Sequence, residues 1–272
     1  MDKAKNRPQE QWLRTSVVGS YPQPDWLVDK DILRSQRVPR VRMEQMWRVA
    51  PELRPQAVQD ATLLAIRSME AAGVDVVTDG ETSRESYSNH FIGGLDGLDT
   101  DQPAMITSRA GFETRVPRVV GKIRHRGTVE VEPARFLRAM TSRTAKITLP
   151  GPFTLAQLSK DEFYRDPEAM AFDFAVALNQ EACALESTGI DVIQLDEPWL
   201  RNDPIGARAY AVRVINRALE GLKVRTALHM CFGYAFLRRG QTANQYEFLS
   251  ELSAANVDEI SIEAAQPRLD PG

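Results

Sequence analysis

The run Leu228-His229-Met230-Cys231 sets an imidazole and a thiol two residues apart. In an extended strand residues i and i+2 point to the same side, so the two can converge on one cation. On its own the pair reads equally well as a core histidine beside a buried cysteine. Glu263, at the end of the next apolar run, tips the balance, because histidine, cysteine and glutamate are all zinc ligands. Two further carboxylates close earlier runs: Glu81 after Asp79-Gly80, and Asp196 before Glu197-Pro198. Carboxylates at such ends can bind a cation, work as acid or base, or cap the following helix, and for a lone one the cap is the commoner role. Ser20, after Gly19, can bond a substrate anion or stabilise the turn toward Pro22.

These residues need strands that end on one face, and the chain repeats a grammar that builds them. The segments 71–81, 187–198 and 253–264 each end a helix, turn, and enter an apolar β-branched run that finishes on a carboxylate. The turn residues Gly73, Gly189 and Asn256 are types that tolerate the left-handed conformation at a helix C-terminus. The stretch 190–256 fits two βα units of about 30 residues each, with a strand at Val224–His229 between them. The stretch 74–189 is longer, and its surplus is assigned to an insertion at 84–144. There a Gly-rich segment is followed by 117–133, which reads as a β-hairpin turning near His125-Arg126-Gly127. Asp166-Pro167-Glu168 opens a helix that Gly189 closes, and Pro204 opens one that Gly221 closes. The strands read as 15–22, 74–81, 145–152, 191–198, 224–231 and 258–264, with the near-continuous apolar character of parallel strands buried on both faces.

Alternating strands and helices give either an open doubly wound sheet or a (β/α)8 barrel. Polar residues at every strand end favour the barrel, since an open sheet gathers its site at one switch point. The expectation is a single TIM-barrel domain over 1–272, truncated after the sixth strand, with strands seven and eight absent. Unpaired edges in such an arc would expose apolar surface and promote self-association.

Charge and composition exclude other classes. The 34 Lys and Arg are interleaved with 37 Asp and Glu for a net charge of −3, so no basic field exists to hold nucleic acid. No apolar stretch is long enough to span a membrane, and the first residues lack a signal-peptide core, which makes the cytoplasm the default compartment. Two cysteines are too few for a disulfide framework. Cys183 is expected in a helix core, His125 at a solvated hairpin tip, and His90 in a loop that could reach the site.

Taken in order, VVGSYPQP, TDGE, LPGPFTLAQLS, IQLDEPWL, HMC and ISIEAAQPRLD resemble the catalytic barrel of the cobalamin-independent methionine synthase family over nearly the whole chain. The resemblance implies a zinc ion held by His229, Cys231, Glu263 and a later cysteine that has no counterpart here. It further implies homocysteine bound through Ser20 at its carboxylate and through Glu81 and Asp196 at its ammonium. The implied activity is zinc-dependent methyl transfer to a thiol, most simply homocysteine, from a methyl-folate or a corrinoid. The expectation is an enzyme of the shorter core type, without the duplicated N-terminal domain of the long enzymes. Three alternatives bear on the same chain. A coenzyme M transferase would bind a sulfonate thiol, which the ammonium-binding acids disfavour. A metal-free lyase like the uroporphyrinogen decarboxylases would need a cationic mouth, and this one is acidic. The third is a non-catalytic truncated barrel.

Overall fold

The computed structural model describes residues 13–35, 41, 43–86, 88–107, 113–201, 203–231, 246 and 248–265. Among them lie strands β1 (Val76–Val77), β2 (Leu95–Thr107), β3 (Glu113–His125), β4 (Thr144–Pro150), β5 (Lys160–Asp161), β6 (Val192–Asp196), β7 (Arg225–Met230) and β8 (Glu259–Ile262). Five of these form one all-parallel sheet in the order β1-β4-β6-β7-β8. Spatial order follows chain order, so each new strand is laid beside the last. A doubly wound sheet reverses its direction once, and this one does not. The result is a curled half barrel.

The longer helices are α1 (Arg54–Ala71), α2 (Val131–Met140), α3 (Pro152–Gln157), α4 (Pro167–Glu186) and α5 (Val212–Ala218). Asp166 caps α4 as its composition predicts, its carboxylate accepting from the Glu168 and Ala169 N–H groups at 3.0 and 3.1 Å. Gly73, Gly189 and Gly221 close helices at φ +79°. Asn256 does not adopt the expected left-handed conformation. Its N–H is instead taken up by Asn216 Oδ1 at 2.7 Å, a tertiary partner that removes the need for a left-handed cap.

Strands β4, β6 and β7 alternate rather than being uniformly apolar. Ile147, Leu149, Ile193, Leu195, Leu228 and Met230 are buried in the main core with Phe174 and Leu178 of α4 and Val214 and Ile215 of α5. Each such side chain contributes roughly 1.5–3 kcal/mol by leaving water. The intervening residues, Lys146, Thr148, Gln194, Asp196 and His229, line the other face, and that face carries the chemistry.

Two expected elements differ. The segment 15–22 contributes only an isolated parallel bridge, Ser16 to Val76, rather than a strand. Beyond it the Gly19 carbonyl accepts from the Thr78 hydroxyl at 2.6 Å instead of from a strand N–H, so the ladder gives way to a loop. In the insertion, β2 and β3 pair antiparallel along their length, and the link between them lies in 108–112, outside the described residues. His125 is therefore the last residue of a hairpin strand, not a tip. The pattern of β2 was hidden by Gly97 at φ +89° and by register shifts after Asp96 and Asp99. His125 is also not solvated: its Nε2 lies 2.8 Å from Glu181 Oε2 on α4. Glu181, fully buried, also accepts from the Val129 and Glu130 N–H groups at 2.9 and 2.7 Å, so this one carboxylate ties the insertion to the barrel. Cys183 is exposed rather than core, because the buried stripe of α4 runs through Leu178, Ala182 and Leu185 and leaves position 183 on the outer side.

Candidate active site

The strand ends and the loops after them converge on one acidic mouth. Two loops are stitched together first. Thr78 Oγ1 donates to the Gly19 carbonyl at 2.6 Å, and the Tyr21 N–H donates to the Gly80 carbonyl at 2.9 Å. This brings Ser20, which is exposed, beside the loop that carries Glu81. Gly19 packs so closely on the Glu81 carboxylate that a methyl group there would overlap it. Glu81 itself sits at φ +54°, one of two described non-glycine residues in that region. Such a conformation costs of order 1 kcal/mol or more and persists where surrounding contacts impose it. The Asp79 carboxylate accepts from the Glu81 N–H at 3.1 Å, and Glu81 Oε1 accepts from the Thr148 hydroxyl at 3.0 Å.

Behind Thr148 lies a buried arginine. Arg84 Nη1 donates to Thr148 Oγ1 at 3.0 Å, while its Nε lies 3.0 Å from Glu130 Oε1 and its Nη2 3.8 Å from Asp79. All three charged groups are buried. Burial pushes the Glu130 carboxyl up to about 7 against the pull of Arg84. Burial also raises Glu81. His90 does approach this cluster: its Nδ1 is 3.1 Å from Glu85, and its charge acts on both Glu81 and Glu130.

Asp196 closes β6, the strand paired with β4. Its Oδ1 accepts from Gln194 Nε2 at 2.7 Å. Burial, reinforced by the charge of Glu81, lifts its carboxyl to about 7. The charge of Glu81 thus opposes the ionisation of Asp196, and a cation placed beside Asp196 would relieve it. The next residue, Glu197, is not part of the mouth. Its fully buried carboxylate accepts from the Phe153 and Thr154 N–H groups at 2.9 and 2.7 Å and so caps α3 across the sheet.

The third wall is the end of β7 and β8. His229 is paired in register with Asp196 on one side and Ser261 on the other. Its Nδ1 lies 3.0 Å from Ser261 Oγ, which leaves Nε2 as the nitrogen for a metal. Burial, with the nearby Lys146 ammonium, lowers the imidazole to about 4, so it is neutral, as a metal ligand must be. Cys231 and Glu263 follow the last paired residues of these adjacent strands. Tyr246 clamps the two ends: its hydroxyl lies 3.1 Å from the Met230 carbonyl and 2.9 Å from that of Glu263, and it accepts from the Glu263 N–H at 2.9 Å. The donor types suit zinc and their places are adjacent. Among the described residues, however, no three His, Cys, Asp or Glu side chains converge as a metal-holding group.

Sequence reasoning thus named Ser20, Glu81, Asp196, His229, Cys231 and Glu263, which all stand at strand ends or in the loops after them. It missed Arg84, Glu130, Lys146, Thr148, Gln194 and Tyr246. The signal for three of these was present: a polar side chain at every second position of an otherwise apolar run (Lys146, Thr148, Gln194) marks the inner face of the barrel.

Comparison with known proteins agrees with this architecture. Residues 13–270 match the family described as cobalamin-independent synthase, catalytic domain. The methionine synthase of Thermococcus kodakarensis is 32% identical over 254 residues, covering 93% of this chain and 69% of that protein. The methionine synthase of Pyrococcus abyssi is 34% identical, covering 83% of this chain and 63% of its own length. The chain thus spans about two thirds of these relatives. A B12-independent methionine synthase from Shewanella sp. W3-18-1, solved in complex with selenomethionine, superposes with a TM-score of 0.80 at 33% identity, covering 91% of this chain and 72% of that one. No described helix is long and apolar enough to cross a membrane. The chain belongs to the cobalamin-independent synthase catalytic-domain family.

Proposed function

We propose that this chain carries a zinc-dependent transfer of a methyl group to the thiol of homocysteine, giving methionine. The observation that carries this reading is the shared strand-end face of an acidic pair, Glu81 and Asp196, and three zinc-type donors, His229, Cys231 and Glu263. Relatives named methionine synthase support it, as does the Shewanella protein's complex with selenomethionine, an amino acid of the product's shape. His229 through Nε2, Cys231 and Glu263 would hold the zinc. Bound there, the ion supplies the Lewis acidity that keeps a substrate thiol, with a free pKa near 8.5, as thiolate at neutral pH. Ser261 fixes the imidazole, and Tyr246 fixes the two strand ends. Glu81 and Asp196 receive the substrate ammonium and Ser20 its carboxylate. Glu263 would be the hardest of the three donors and Cys231 the softest. With the sulfur so held, the S–CH3 bond would form as the donor–CH3 bond breaks and the demethylated donor leaves, and no general base on sulfur would be required.

The test is methionine formation by zinc-supplemented protein from homocysteine, with methyl-folate and methylcobalamin offered separately as donors. Wild type should form methionine with methyl-folate, Cys231→Ser should not, and Cys183→Ser, exposed on α4, should match wild type. Absence of methionine with both donors, or equal loss in the two variants, would overturn the reading.

A further inference from the structure

Lys146 takes no part in the reading above, yet it is a buried ammonium at 6% exposure on the inner face of β4. A lysine there carries a desolvation cost that an apolar residue would avoid, so its contacts matter. Its Nζ donates to Gln194 Oε1 at 2.7 Å. The Gln194 amide group in turn donates through Nε2 to the Val18 carbonyl at 3.0 Å and to Asp196 Oδ1 at 2.7 Å. An inverted amide would set its oxygen against two acceptors and its NH2 against an ammonium. Lys146 is all donor and Asp196, when ionised, all acceptor, so the chain has one polarity only.

We infer that Lys146 is a positioning residue: through Gln194 it fixes the Asp196 carboxylate in the orientation that receives the ammonium of an amino-acid substrate. The inference rests on the assignment of Asp196 to that ammonium and adds a residue that touches no substrate. Without the lysine the Gln194 oxygen loses the ammonium that holds it, the amide is anchored only through its Nε2, and the group that donates to Asp196 is less firmly oriented. A merely structural lysine would support the barrel interior without distinguishing one ligand group from another. Loss of a positioning lysine weakens the ligand that carries the amino group far more than the one without it.

The experiment is isothermal titration calorimetry of zinc-supplemented protein with two ligands, L-methionine and the same molecule lacking its amino group. Wild type should prefer methionine. Lys146→Met should weaken methionine roughly tenfold, the loss of about one charge-assisted hydrogen bond, and change the deaminated ligand less than about twofold. Gln194→Met breaks the same chain from its middle, should give the same selective loss, and carries the comparison if Lys146→Met fails to fold by thermal unfolding. Parallel weakening of both ligands, or no weakening of either, would overturn the inference. A wild-type protein with no preference for methionine would instead overturn the Asp196 assignment itself.

Discussion

Gly151, between Pro150 and Pro152, is glycine for a reason of space rather than of backbone conformation. Its backbone, at φ −74° and ψ 154°, suits any residue. Space does not, because a methyl group on Gly151 would overlap the Glu197 carboxyl group. Gly151→Ala should therefore displace a fully buried carboxylate from the two N–H groups it accepts, those of Phe153 and Thr154. Each buried donor left unpaired costs about 1–3 kcal/mol, so the substitution should cost about 2–6 kcal/mol, a large share of the roughly 5–15 kcal/mol that stabilises a domain. At roughly 2–4 °C per kcal/mol in a chain of this size, the melting temperature should fall by about 4–24 °C. Glu197→Ala should cost a similar amount for the same two donors. Because it also opens the space the methyl needs, Gly151→Ala should add less than about 1 kcal/mol on that background. Urea unfolding of the four proteins at matched slope measures the cycle. Additive costs, or a harmless Gly151→Ala in the wild type, would refute the reasoning.

Three further outcomes are expected. Thr148→Val removes the hydroxyl that donates to Glu81 and accepts from Arg84, and methionine affinity by calorimetry should fall roughly tenfold with the fold kept; unchanged affinity would release Glu81 from the site. Arg84→Met leaves Asp79 and Glu130 buried without their cation and should cost about 3–5 kcal/mol in urea unfolding, whereas a loss under about 1 kcal/mol would mean the cluster is held by other means. With the Asp196 carboxyl raised to about 7 by burial, falling pH should protonate it and remove the charge that attracts an ammonium, so methionine affinity should weaken on the acid side of about 7 and level above it; a flat profile across that range would contradict the role.

Much of the fold could be read because helix ends and strands announce themselves locally. Asp166-Pro167 and the glycines at 73, 189 and 221 act within a few residues of where they stand. The strand-end acids were legible for the same reason. What escaped the sequence depends on partners distant in the chain. Glu181 reads as one more helix glutamate until His125 and the Val129 and Glu130 N–H groups arrive against it. Arg84 and Glu130 are far apart in sequence and meet only because the insertion folds back under the mouth. The hairpin was misplaced because Gly97 and two register shifts broke the alternation of β2, and the 15–22 segment looked like a strand because a side-chain hydroxyl, not sequence pattern, decides where its ladder stops.

The central claim is that His229, Cys231 and Glu263 hold a zinc ion to which a substrate thiol adds. Zinc-edge X-ray absorption on zinc-loaded protein tests it directly, by counting sulfur neighbours before and after homocysteine is added. The account predicts a Cys231 sulfur among nitrogen and oxygen neighbours at first, one more zinc–sulfur contact with homocysteine, and loss of the first sulfur in Cys231→Ser. A sulfur count that does not change on adding homocysteine, or that is the same in Cys231→Ser as in wild type, would contradict it.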